Sequence, residues 1–226
     1  MERICRVGTR TSPLALRQAD EFLEKLRKHH RHFRYEITGV DTLGDMDKKT
    51  PISEVEGTDF FTRELDDAVL GRLADFAVHS AKDLPESLKA GLTLAALTSS
   101  IDVNDVLVSR RNLKLDELPY GAKIGASSLR RKTQLKEYRP DFRIVDIRGN
   151  IGERLGLMDE TDLDAVVLAA AGLIRLGLKE RITERSPLEI MKPHPLQGAL
   201  AAVARSDDYE MIGILSAVDA RTGVGV

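Results

Sequence analysis

The sequence has one cysteine, no tryptophan and only 4% aromatic residues among its 226 positions. A lone thiol, Cys5, excludes an internal disulfide framework and any zinc or iron–sulfur site built from several cysteines, so the core must hold the fold. Long apolar runs are also missing. The longest, residues 165–174, is ten residues, against the roughly 18 needed to cross a bilayer. The start, MERICRVGTRTSPLAL, is interrupted by arginines too often for a secretory signal. These absences point to a cytoplasmic protein. An excess of one charge is lacking too: 34 basic against 36 acidic residues give a net charge of −2. Nucleic acid and anionic membranes are therefore poor partners unless cations are concentrated locally. What is present, 42% apolar and 31% charged residues, is ordinary globular composition, long enough for one large domain or two small ones.

Short apolar runs alternate with helical periodicity, which predicts a largely parallel α/β fold. Strands are expected at 4–8, 33–40, 74–79, 92–98 and 105–109. A helix capped by Ser12, with Pro13 at its first position, should run to about residue 28. The stretch TLGDMDKKTP is expected to be an irregular loop and residues 60–73 a helix. After the turn-rich RRNLKLDELPYG, a second series should place strands at 123–126, 142–147 and 165–169. Its helices are expected at 128–138 and 150–158, with a short one ending near 176. Two last helices are expected at 197–204 and 209–220. Two α/β lobes with a central cleft are the simplest architecture, with ligands beyond the carboxyl ends of the strands.

Arginines stand where helix stability does not ask for them. In GASSLRRKTQL, Arg130 and Arg131 fall in the first turn of a helix, after the candidate caps Ser127 and Ser128. The positive end of the helix macrodipole lies there, so cations are disfavoured. A bound anion would repair the mismatch, since free N–H groups, serine hydroxyls and guanidinium forks together suit a carboxylate or phosphate. In DIRGNIGERL, Arg148 ends a strand, Asn150 can cap the next helix and Arg154 lies one turn inside it. Arg10 precedes the Ser12 cap at the first such junction. Arg175 is weaker evidence, because a helix C-terminus favours a cation anyway.

The segment ADFAVHSAKDLP ends a buried strand and then offers Lys82 and Asp83. Asp83, beside cations, should stay ionised and can stabilise a transient positive charge or relay a proton. His79 is expected to be a core histidine, Phe60 and Phe61 to pack in the core or else to form a cleft wall, and HHRH (29–32) to be surface without a metal-ligand pattern. No metal site is expected. No P-loop, GxGxxG or GxSxG signature is present.

The segments GTRTSPLALRQA (8–19), TLGD (42–45), FTREL (61–65), DFAVHSAKDLP (75–85), GASSLRRKTQL (125–135), RGNIGERL (148–155), LAAAGLIRLGL (168–178) and QGAL (197–200) follow one another along the chain. In this order they resemble the first two domains of the porphobilinogen deaminase, or hydroxymethylbilane synthase, family. The resemblance implies two lobes like those of type II periplasmic binding proteins. Domain 1 would comprise 1–98 plus 193–226 and domain 2 would comprise 99–192, with the family's third domain missing. It also implies a transferase of tetrapyrrole and heme biosynthesis that joins four porphobilinogen units head to tail and releases ammonia at each step.

By motif, Arg10, Ser12, Ser128, Arg130, Arg131, Arg148, Arg154 and Arg175 would bind substrate or cofactor carboxylates, with Lys82 helping. Asp83 would be the catalytic aspartate, assisting loss of ammonia and stabilising the cations that follow. The family's dipyrromethane cofactor is anchored by a third-domain cysteine. Here the lone Cys5 lies in the first strand, so the cofactor is expected to be absent or held non-covalently. Departures include Thr58 and Asp59 in the family's glycine-rich GKGLFT motif, Leu196, Ala202 and Val203 in its late motif, and Glu153 beside Arg154. The alternative is a non-catalytic binding protein for porphobilinogen or bilane carboxylates. Porphobilinogen and polypyrrole carboxylates are the expected ligands. An apolar stripe, Met211, Leu215 and Val218, suggests a homodimer contact or a separate third-domain partner.

Overall fold

The computed structural model describes residues 4–223. Two compact units emerge, one of residues 1–46, 57–101 and 199–226, the other of residues 47–56 and 102–198. In chain order the elements are β1 (Cys5–Arg10), α1 (Pro13–His29), β2 (Tyr35–Val40), α2 (Leu43–Met46), α3 (Ile52–Val55), α4 (Arg63–Leu70), β3 (Phe76–Ser80), β4 (Leu92–Leu97), β5 (Asp105–Ser109), β6 (Lys123–Gly125), α5 (Leu129–Tyr138), β7 (Arg143–Val145), α6 (Ile151–Glu160), β8 (Ala165–Ala169), α7 (Ala170–Arg175), β9 (Glu184–Arg185), β10 (Leu200–Arg205) and α8 (Tyr209–Leu215).

Each unit is built on one five-stranded sheet, ordered β2-β1-β3-β10-β4 in the first and β7-β6-β8-β5-β9 in the second. In both, the first three strands are parallel and the fourth runs antiparallel to its neighbours. The sheets are therefore mixed, where a largely parallel fold was expected. The reason lies in β5 and β10, which enter their sheets without a crossover helix, and strand direction leaves no trace in hydrophobic period. Helices α1 and α5 fill the equivalent crossover after the first parallel strand of each unit.

The alanine-rich segment expected as a helix at 197–204 is instead the buried strand β10. Alanine favours helices, but this six-residue run is buried on both faces. Leu200, Ala202 and Ala204 join the cluster formed with Phe22, Leu23 and Phe76, while Val203 joins Leu65, Val69 and Ala77 beneath α4. Continuous burial on both faces of a short segment is the signature of a central strand. The stripe on α8 is also reassigned: Met211 and Leu215 are buried and Val218 packs against the same cluster as Phe22, so this unit covers it itself.

The loop TLGDMDKKTP contains the one-turn helix α2, and residues 47–56 belong to the second unit rather than to a first unit running to 98. Arg148 donates to the Asp47 carbonyl, Lys48 pairs with Glu153, and the Glu56 carboxylate accepts from the Leu129 amide, which ties this segment to α5 and α6. Residues 193–198 likewise group with the second unit, through Gln197 and Gly198. Among the described residues no helix is long and apolar enough to cross a membrane.

Candidate functional site

In the first unit, β1 ends at Arg10 and Ser12 caps α1, its hydroxyl accepting from the Ala15 amide at 3.3 Å. The Arg10 guanidinium grips Asp45, with Nε 3.0 Å from Oδ2, and its carbon lies 4.7 Å from the centre of the Phe61 ring. Asp45 is presented by α2, where Thr42 donates to it through both backbone N–H (3.1 Å) and hydroxyl (2.8 Å). Burial raises the Asp45 carboxyl pKa, but Arg10 and Thr42 together hold it below the usual range. Gly44 makes this arrangement fit, because a Cβ there would stand 2.2 Å from the Phe61 ring. Phe60 is buried and stacks edge-on against Phe61 at 5.2 Å, so only the second of the pair borders the site.

A pocket of about 50 Å³ opens at this junction, bounded among others by Arg10, Ser12, Gln18, Phe61, His79 and Asp83. It lies at the carboxyl end of β3, where the chain turns into the one-turn segment Ala81–Asp83. Gln18 donates to the Ser80 hydroxyl at 2.7 Å and fixes one wall. His79 is buried and its Nε2 has no partner among the described residues. Burial, reinforced by the Arg10 charge, pushes its imidazole down to about 4, so it is neutral near pH 7. Asp83 is half-buried, and its carboxylate makes no hydrogen bond or ion pair among the described residues. Lys82, beside it, is half-buried.

In the second unit, Ser128 caps α5 and accepts from the Arg131 amide at 3.2 Å. Arg131 is buried. Its Nε and Nη2 reach Asp105 Oδ1 at 3.0 and 2.7 Å, while Arg130 Nη2 lies 2.8 Å from Oδ2. Asp105 has no solvent exposure. Burial raises its carboxyl pKa, but Arg131 and Arg130 outweigh that and hold it below the usual range.

The remaining arginines are also tied within this unit. Arg148 donates to the Asp47 carbonyl, Arg154 Nε to the Gly149 carbonyl at 2.8 Å, and the buried Arg175 to the Gly198 carbonyl at 2.9 Å. Gly149 adopts φ +92°, open to glycine at little cost, and Asn150 and Glu153 then form a reciprocal cap on α6. Glu153 pairs with Lys48, which places its negative charge on that cation as well as near Arg154.

Arg10, Ser12, Lys82 and Asp83 thus belong to the first unit, and Ser128, Arg130, Arg131, Arg148, Arg154 and Arg175 to the second. Sequence reasoning missed the acceptors: Asp45, Asp105, Gln197 and the Asp47 and Gly198 carbonyls. A signal existed for Asp105. It opens the buried run DVLV, and a carboxylate at the head of such a strand must have a cation partner. Among the described residues no group of three or more His, Cys, Asp or Glu could hold a metal ion.

The fold class is that of two-unit α/β binding proteins. The chain is similar to the methionine binding protein MetQ (TM-score 0.58, 12% identity, 93% of this chain and 87% of that one). It is also similar to the VFT2 domain of BvgS from Bordetella pertussis (TM-score 0.54, 18% identity, 95% and 86%). At such identities the likeness concerns the fold alone. Family membership comes from the sequence: residues 5–213 match the model described as porphobilinogen deaminase, dipyromethane cofactor binding domain. Porphobilinogen deaminases of Desulforudis audaxviator and Pelotomaculum thermopropionicum are each 44% identical to this chain, over 97% and 98% of it and 71% of each relative. The chain belongs to the porphobilinogen deaminase family, a family of transferases.

Proposed function

We propose that this protein polymerises porphobilinogen to a linear tetrapyrrole in the cytoplasm, with Asp83 as the catalytic group. The observation that carries the reading is the Asp83 carboxylate itself, unpaired among the described residues in a pocket with the Arg10 guanidinium and the neutral His79. A free carboxylate there is ready to serve a transient cation, whereas one already neutralised would have to be released first.

The reaction breaks the aminomethyl C–N bond of porphobilinogen, and ammonia leaves with a proton. The methylene carbon, then electron-deficient, bonds to the free α-carbon of the next pyrrole, which loses its α-proton. Asp83 would stabilise the positive charge on the pyrrole and move the protons. Its neighbours Arg10, Ser12 and Lys82 would orient the acetate and propionate groups. In the second unit, Ser128, Arg130, Arg131, Arg148, Arg154 and Arg175 would hold carboxylates of the growing chain. Guanidinium forks suit such groups, and fixing them before binding lowers the entropy cost of association.

The same cations fit a dipyrromethane, which is a polycarboxylate and would supply the acceptor pyrrole when bound. Cys5 does not fit as its anchor, because it is buried in β1 within the core of the first unit. Within this chain the arginines would be the groups that hold its carboxylates.

Incubation of the purified chain with porphobilinogen tests this. Expected are stoichiometric ammonia release and a bilane that closes to uroporphyrin, both lost in Asp83→Asn. A flat time course from folded protein overturns the reading. The second reading is a binding protein without turnover. Calorimetry would then show porphobilinogen binding with no ammonia released.

A further inference from the structure

The two arginines at the start of α5 occupy a position that the helix dipole disfavours, and one buried side chain resolves the conflict. Asp105 contributes a single negative charge against two positive ones. Its Oδ1 accepts from Arg131 Nε (3.0 Å) and Nη2 (2.7 Å) and from Gln197 Nε2 (3.1 Å), while Oδ2 faces Arg130 Nη2 at 2.8 Å. Arg131 is further engaged by the Val167 carbonyl and Gln197 Oε1, both at 3.4 Å. A carboxylate with no exposure is tolerated only beside cations, and here two guanidiniums face it. The Arg130 side chain remains 25% exposed; the Asp105 contact on Nη2, with the Lys192 carbonyl and Gln134 Oε1 on Nη1, fixes where its fork can point. The unit thus keeps one net positive charge, held in place by an anion that does not leave.

We infer that Asp105 is a positioning residue: it holds the Arg130–Arg131 pair in the geometry that receives a ligand carboxylate. This rests on the proposed porphobilinogen chemistry for its ligand, although the grip of Asp105 on the guanidiniums does not. Removing the carboxylate leaves Arg130 tied only through Nη1, to the Lys192 carbonyl and Gln134 Oε1, and weakens the site without touching the reacting atoms.

The test is a cycle of Asp105→Asn, Arg130→Gln and the double variant, in the full chain. Calorimetry with porphobilinogen gives the Kd, turnover gives KM and kcat, and NMR reads the arginine Nε–H signals. Asp105→Asn should weaken porphobilinogen binding about tenfold, raise KM with kcat within about twofold, and abolish the slowly exchanging Nε–H signal of Arg131. In the Arg130→Gln background the same change should cost less than in the wild type, because the Asp105–Arg130 contact is already gone and only the Arg131 contacts remain to be lost.

A wild-type Kd in Asp105→Asn, a full independent loss in the double variant, or a fall in kcat with KM unchanged overturns the inference. If Asp105→Asn fails to fold, Asp105→Asn with Arg131→Gln removes both buried charges together, and a wild-type Kd in that protein overturns it equally. The NMR signal separates the two readings. If it is lost in Asp105→Asn while the wild type neither binds nor turns over porphobilinogen, the positioning role stands and the proposed function falls. If it survives, Asp105 does not position the pair.

Discussion

The two units repeat one plan, and their first strand-to-helix junctions show what each does with it. Both end a parallel strand beside a serine-capped helix and set arginine there. In the first unit Arg10 is held by Asp45, a carboxylate on a one-turn helix with a fifth of its side chain exposed, next to a pocket containing a carboxylate, Asp83, and an imidazole nitrogen, His79 Nε2, that are both unpaired among the described residues. In the second unit Arg130 and Arg131 are held by Asp105, which has no exposure at all. Unsatisfied groups are costly and persist where chemistry needs them, whereas satisfied networks fix geometry. The contrast supports the proposed division, with reaction at the first junction and binding at the second.

The largest effect should come from Asp83→Asn. General acid–base and electrostatic assistance contributes typically 10²–10⁴-fold, so kcat should fall about a thousandfold. Because Asp83 has no partner among the described residues, the melting temperature should stay within about 2 °C of wild type. A large loss of stability would break the contrast by making Asp83 structural. Asp105→Asn should behave in the opposite way, costing about 3 kcal/mol in denaturant unfolding because two arginines lose a buried anion. Asp45→Asn, at a pair with each side chain about one-fifth exposed, should cost about 1 kcal/mol. Equal costs would show that the two junctions are not held differently.

Two buried aspartates sharpen the comparison through pH. Asp66, on α4 of the first unit, has no exposure, and neither carboxylate oxygen has a partner among the described residues. Burial, only partly offset by Lys89, raises its carboxyl to about 6. The folded state then binds a proton more tightly than the unfolded chain. Its protonation stabilises the fold fully below about pH 4, and that contribution is lost as the pH rises towards 6 and above. From the roughly 2-unit rise, the cost at pH 7 is roughly 2–3 kcal/mol. Asp66→Asn should remove it, raising stability at pH 7.5 and leaving pH 4 unchanged. Asp105 works with the reverse sign: its contribution is present above the ordinary carboxylate range and is lost only as the pH falls below it. Urea titrations at several pH values check both, and equal curves for Asp66→Asn and wild type at pH 7.5 would remove the first.

Much of this plan was legible in the sequence. The β5 and β8 runs were read to the residue, and the caps Ser12, Ser128 and Asn150 sit where turn chemistry put them. Local signals carry that far. The direction of β5 and β10, and the strand identity of LAAVAR, depend on partners distant in the chain. The acceptors of the arginines were hidden for the same reason. Asp105 lies 26 residues from Arg131 and Asp45 lies 35 from Arg10, and no helical or strand period connects them. An arginine in an unfavourable position announced that an anion was needed; sequence alone assigned that role to a ligand, whereas in the fold Asp105 and Asp45 already face these arginines.

The smallest effect discriminates between the serines. Ser12 and Ser128 each accept from the third amide of their helix, at 3.3 and 3.2 Å, and loss of such a cap costs about 1 kcal/mol. Ser12→Ala should therefore cost about 1 kcal/mol in the first unit. At Ser128 the capped amide belongs to Arg131, whose guanidinium is fixed independently by Asp105. That second tie keeps the turn in place when the hydroxyl is removed, so Ser128→Ala should cost about half as much. In an Asp105→Asn background the cost at Ser128 should return to about 1 kcal/mol, while Ser12→Ala is unaffected by the same background. Denaturant unfolding of the five variants measures this, and an unchanged cost at Ser128 would mean that the cap and the buried carboxylate hold α5 separately.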